Sequence, residues 1–198
     1  MKKILLLLVI CLSFALQAQD SKEIYGRLNY AFVPHNMLQG VGYSVGYHWQ
    51  ADKPLSYKVE LGMLTTYRER EIDQTIGNIQ FLNLYYNLAQ MHVAIIPTWQ
   101  FVTTYRWGLS AGLGLSGAYQ SKLFTVSNYK YRERPTSDYW QQVTDVDAAS
   151  NLRAGLVGAF DIHYQLSAKW VLGLTAQYQI YYQGESVLEV GIGAGYRF

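Results

Sequence analysis

Residues Ser186 to Phe198 (SVLEVGIGAGYRF) constrain the fold more than any other stretch. Leu188, Val190, Ile192, Ala194, Tyr196 and Phe198 fall on one face of an extended chain. Glu189, Gly191, Gly193, Gly195 and Arg197 fall on the other. A side-chain period of two held over that length specifies a strand whose faces meet different surroundings. One face is apolar throughout and ends in aromatic residues. The other carries a carboxylate, a guanidinium and three glycines. A closed sheet in a bilayer supplies both surroundings, lipid outside and a filled polar lumen inside.

The same alternation recurs upstream and predicts strands at about 23–33, 40–50, 55–70, 91–102, 107–122, 148–165 and 170–183. In the second, Val41, Tyr43, Val45, Tyr47 and Trp49 alternate with Gly42, Ser44, Gly46 and His48. In the fifth, Trp107, Leu109, Ala111, Leu113 and Leu115 alternate with Gly108, Ser110, Gly112, Gly114 and Ser116. No apolar run reaches the 18 or so residues of a spanning helix. The expectation is all-β: an eight-stranded antiparallel up-and-down transmembrane β-barrel.

Two stretches break the pattern. Pro97 lies on the lipid face of the fourth strand and cannot donate to the ladder, so a bulge is expected there. Leu82, Leu84, Tyr86 and Leu88, continued unbroken, would share the lumen face of His92 and Ala94. Either a bulge near residues 89–91 reverses the phase, or 79–89 is a separate strand above the membrane. Connections after the second, fourth and sixth strands are tight. Those spanning 69–90 and 123–147 are long, the second being read as the longest loop.

The ending resembles the terminal strand of bacterial outer-membrane β-barrels, whose assembly signal is a final Phe preceded at alternate positions by an aromatic and apolar residues. Phe198, Tyr196, Ala194, Ile192 and Val190 fit it. The architecture resembles the small barrels of the OmpX and OmpA type. The resemblance implies an outer-membrane location, both termini in the periplasm, a monomer, lipid and lipopolysaccharide as surroundings, and delivery by the barrel-assembly machinery. Trp49, Trp99, Trp107 and Trp170 fall near the tight turns on the outer face, as one aromatic girdle would.

Lys2 and Lys3, the apolar run Ile4–Leu12 and small residues near Ala18 have the form of a secretory signal peptide. The expected organisation is 1–18 signal peptide and 19–198 barrel domain. The signal holds Cys11, the single cysteine, and two of the sixteen basic residues. The remainder carries fourteen charges of each sign, so no general attraction to nucleic acid follows. No cofactor or metal-ligand spacing is found.

Arg27, Lys58, Glu60, Arg153, Asp161, Glu189 and Arg197 are expected to point to the lumen as a candidate charge network, with His163 on the same inner face. Mixed charges in a barrel of this bore are expected to pair as a plug, with Arg27 and Glu189 as neighbours. A narrow pore is the alternative. A lipid-modifying enzyme, a lipid A acyltransferase or deacylase, is another. The deacylase pattern of a His two residues before a Ser is absent, and His163 has Gln165 there. His35 would have to meet Ser127, Ser137 or Asp138. The candidate surface for an extracellular protein or glycan is Tyr129, Lys130, Tyr131, Arg132, Arg134, Tyr139 and Trp140, aromatic and basic residues of the long loop. A further candidate is the sheet edge of a protruding hairpin of the third and fourth strands.

Overall fold

The computed structural model describes residues 22–52, 54–72, 74–76, 78–132 and 140–198, with the backbone alone at 50–52. The signal-peptide stretch lies outside the described residues. Ten strands follow in order: β1 (Lys22–Val33), β2 (Leu38–Asp52), β3 (Leu55–Arg70), β4 (Gln74–Ile76), β5 (Ile79–Phe81), β6 (Leu84–Thr103), β7 (Trp107–Tyr131), β8 (Gln141–Gln165), β9 (Trp170–Tyr181) and β10 (Val187–Arg197).

Eight of them close a ring in the order β1-β2-β3-β6-β7-β8-β9-β10 and back to β1, all antiparallel. The last strand joins the first from Glu23↔Arg197 to Phe32↔Leu188, and the Phe198 amide donates to the Lys22 carbonyl at 3.0 Å. β4 and β5 form a small hairpin attached to β7 beyond the ring.

Side-chain alternation explains closure. Glu60 and Asp161 are 0% exposed, whereas Leu113 is 80% and Leu28 71% exposed. A soluble protein has the reverse arrangement. Here the polar face is turned inward and the apolar face is left for lipid. One end of the barrel, the turn end, carries the short connections between β2 and β3, at 104–106 and at 166–169, together with Lys22 and Phe198. Trp49 packs on Tyr57, Trp107 on Tyr164 and Trp170 on Tyr196, with ring centroids 5.4, 4.7 and 5.3 Å apart. With Trp99, opposite Leu55, they belt the outer face of that end.

Close approach inside requires glycine at two telling positions. A Cβ on Gly62 would enter the His92 ring, and one on Gly193 would meet the Arg27 side chain.

Four expectations need correction. No bulge sits at Pro97: the β3–β6 register runs unbroken through Tyr57↔Pro97, and the ladder to β7 skips Ile96 and Pro97 without shifting. The irregularity comes at Gln100/Val102, where the sheet bends into the turn. Residues 84–91 reverse no phase either. Leu88, Gln90 and His92 all face the lumen, and only Ile79–Phe81 is a separate strand. The lumen is apolar at that level, so apolar residues can share its face. The loop 123–147 is largely strand, since β7 continues to Tyr131 and β8 starts at Gln141. Finally, Arg27 pairs with Glu60 and not with Glu189.

Candidate functional site

The lumen changes character along its length. Toward the hairpin end, opposite the turn end, Ala31, Val33, Leu38, Leu64, Leu88 and Val187 form a buried apolar cluster, with Tyr86 against it. Below it lies a polar network. The Arg27 guanidinium sits on the Glu60 carboxylate, and its Nε donates to Ser44 Oγ at 3.2 Å. Glu60 Oε2 also accepts from the Tyr25 hydroxyl at 2.9 Å and the Gln177 amide at 3.3 Å. Lys58 Nζ lies 2.5 Å from Asp161 Oδ2, and Thr175 donates to Oδ1 at 2.8 Å. Glu189 accepts from Asn29 and Gln179, each at 2.8 Å. His92 stands between two carboxylates, 3.8 Å from Glu60 and 4.0 Å from Glu189.

Arg197 pairs with Glu23 at 3.1 Å near the turn end, beside a cavity of about 360 Å³ lined by His48, His163, Arg106 and Gln165 among others. Arg153 lies apart from these pairs, near Gly184 at the hairpin end. Low local dielectric strengthens each pair and makes an unpaired charge costly, so the network fills the bore.

Among the described residues no histidine hydrogen-bonds a nucleophile, and His92 meets the Gln179 amide at 3.3 Å. The His48 and His163 rings lie 6.2 Å apart, and neither buried Nε2 has a hydrogen-bond partner among the described residues. His35 is exposed in the first turn, while Ser127 sits in β7 opposite Asp145. Ser137 and Asp138 lie outside the described residues.

The second feature is the β7–β8 hairpin. A tilted strand crosses a bilayer in ~10 residues; β7 and β8 have 25 each. Of the candidate surface residues, Tyr129, Lys130 and Tyr131 are on β7 and pair with Phe81, Gln80 and Ile79 of β5. The Arg132 guanidinium lies 4.1 Å above the Trp140 ring. Arg134 and Tyr139 lie outside the described residues.

The expected edge of the third and fourth strands is short: β2 pairs with β3 as far as Tyr67 and β7 with β6 as far as Tyr86, so of β3 only Arg68–Arg70 extend past a neighbour. The longest open edge among the described residues is on β8. Its pairing with β9 begins at Gly155↔Tyr181, and the Tyr182 amide donates to the Ala154 carbonyl at 2.9 Å. From Gln142 to Arg153, no strand lies on that side among the described residues. Sequence periodicity missed this strand because a sheet in water needs no apolar face. The absence of Gly and Pro between Pro135 and Gly155 was the available signal.

No protein-family model and no curated protein sequence matches the chain. Solved structures do. Neisserial surface protein A shares 12% identity over 90% of this chain and 96% of its own, with a TM-score of 0.53. A major outer membrane protein from Thermus thermophilus shares 14% over 89% of this chain and 99% of its own, with a TM-score of 0.54. The chain has the fold of a bacterial outer-membrane β-barrel. Ail, the attachment invasion locus protein of Yersinia pestis, solved with the heparin analogue sucrose octasulfate, is also similar, at 14% identity, 90% and 99% coverage and a TM-score of 0.49.

Proposed function

We propose that this barrel resides in the outer membrane of a Gram-negative bacterium, performs no chemistry, and works through the β7–β8 hairpin displayed outside the cell. The observation that carries this reading is the open edge of β8 on a hairpin far longer than the membrane requires. An unpaired edge offers a row of backbone donors and acceptors to an incoming extended segment. The basic and aromatic residues toward the tip of the same hairpin, Lys130, Arg132 and Trp140, suit an acidic protein segment or an anionic glycan, and Arg134 and Tyr139 follow in the sequence between them. Short turns face the periplasm in such barrels, which supports the reading that both termini lie there. Lipid and lipopolysaccharide surround the wall, and the last strand addresses the chain to the barrel-assembly machinery.

The test is to replace residues 124–147 by Asn-Gly between the opposed residues Leu123 and Ala148. The shortened barrel should fold and insert, while cells carrying it lose binding to host-cell matrix and sulfated-glycan surfaces. Binding equal to wild type would discard the reading.

A further inference from the structure

We infer that the cavity at the turn end of the bore is a binding site for a small oxyanion of the phosphate class, entering from the aqueous phase at that end. The inference does not depend on what the hairpin binds at the other end.

The cavity has the size of a small-molecule site, about 360 Å³. Its walls are cationic on balance. Arg106 and Arg197 line it against one carboxylate, Glu23, and the Lys58–Asp161 pair beneath cancels. Arg197 gives Nε to Glu23 at 3.1 Å and Nη1 to Gln165 at 3.4 Å, while Arg106 gives Nη1 to the Tyr164 hydroxyl at 3.3 Å. A guanidinium has five N–H donors in a planar fork, so both keep donors for the oxygens of a phosphate.

Two histidines build the inner limit of the cavity. His48 on β2 and His163 on β8 face each other across the bore with their rings 8° from parallel and 6.2 Å between centroids. Both also line a small cavity of about 20 Å³ further in, together with Lys58 and Asp161, so the rings stand between the two spaces. Both Nε2 atoms are buried, and neither has a hydrogen-bond partner among the described residues. A buried polar atom without a partner is costly. Neutral imidazole can carry its proton on either nitrogen, so an anion at this floor supplies the missing acceptor after a small rotation of each ring.

A metal ion suits the site less well. Among the described residues no three His, Cys, Asp or Glu side chains come together as ligands. Glu23 already accepts from Arg197, and the two guanidiniums repel a cation. The apolar cluster closes the bore toward the hairpin end, so the ligand enters and leaves by the turn end.

The test uses residues 19–198, refolded in dodecyl maltoside in phosphate-free buffer, with the histidine rings isotope-labelled for magnetic resonance. The chain has four histidines, and His35 and His92 do not line the cavity. Inorganic phosphate should shift the His48 and His163 signals along one saturating curve and leave those of His35 and His92 in place. Sodium chloride at matched ionic strength should shift none. Arg106→Gln, a change on an exposed turn, should weaken phosphate about tenfold or more, the loss expected for a charge-assisted hydrogen bond. Glu23→Gln should tighten it several-fold, because it releases Arg197 and removes the competing carboxylate. Heat-modifiable gel migration checks that both variants are folded. The inference is overturned by folded wild type that shows no saturable shift, by an equal response to chloride, or by an affinity that neither variant changes. Zinc moving the two ring signals where phosphate does not would overturn it in favour of a cation site.

Discussion

Arg27 on β1 forms its ion pair with Glu60 on β3, reaching past Ser44 of the strand between them, while Glu189 on the adjoining β10 is held by Asn29 and Gln179. Glu60 is fully buried. Its charge is held by Arg27, the Tyr25 hydroxyl and the Gln177 amide together. Arg27→Ala should therefore destabilise the barrel by about 3–5 kcal/mol, since a buried carboxylate loses its counter-charge. Arg27→Met with Glu60→Leu should recover most of the loss. Urea titration of the folded fraction in lipid, read by heat-modifiable gel migration, measures both. A single variant as stable as wild type would show that the pair does not organise the lumen.

The cluster at the hairpin end closes the bore. Leu38 and Leu88 are completely buried there. Purified barrel should show no steady conductance in planar bilayers. Leu88→Ala should cost about 2–5 kcal/mol in the same urea titration. Steady wild-type conductance would sink the plug.

Gly62 faces His92 at a distance that admits no Cβ. Gly62→Val should destabilise by about 1–3 kcal/mol through overpacking. Adding His92→Ala should return part of it, with a coupling energy that a double-mutant cycle resolves. Additive effects would mean the two positions do not share that space.

Four tryptophans belt the turn end, while Trp140 stacks with Arg132 on the hairpin. Brominated phospholipids should quench the fluorescence of the four. A variant keeping Trp140 alone, the others changed to Phe, should be quenched little. Equal quenching would place the hairpin in the bilayer.

Much of the barrel is legible in the order of its residues. Lipid and lumen impose opposite chemistry on alternate positions, so β2, β7, β9 and β10 can be read face by face from Val41, Trp107, Leu172 and Val190 onward. The same signal fails wherever the surroundings are not lipid against polar lumen. Leu84 to Leu88 resemble a phase error because the lumen is apolar at that level. Residues 124–131 and 141–147 resemble loop because a strand in water carries no lipid-facing stripe.

The sequence alone determined the class of fold, the strand phase where lipid faces a polar lumen, and the aromatic girdle, since each follows from short-range alternation against a bilayer. Tertiary structure decided which charges meet, Arg27 with Glu60 and Lys58 with Asp161. It also decided that the long open edge belongs to β8. Partner choice across a lumen depends on stagger and reach between strands far apart in the chain. An edge is free only relative to its neighbours: β9 stops at Tyr181 while β8 runs on to Gln141. No local pattern encodes that difference in length.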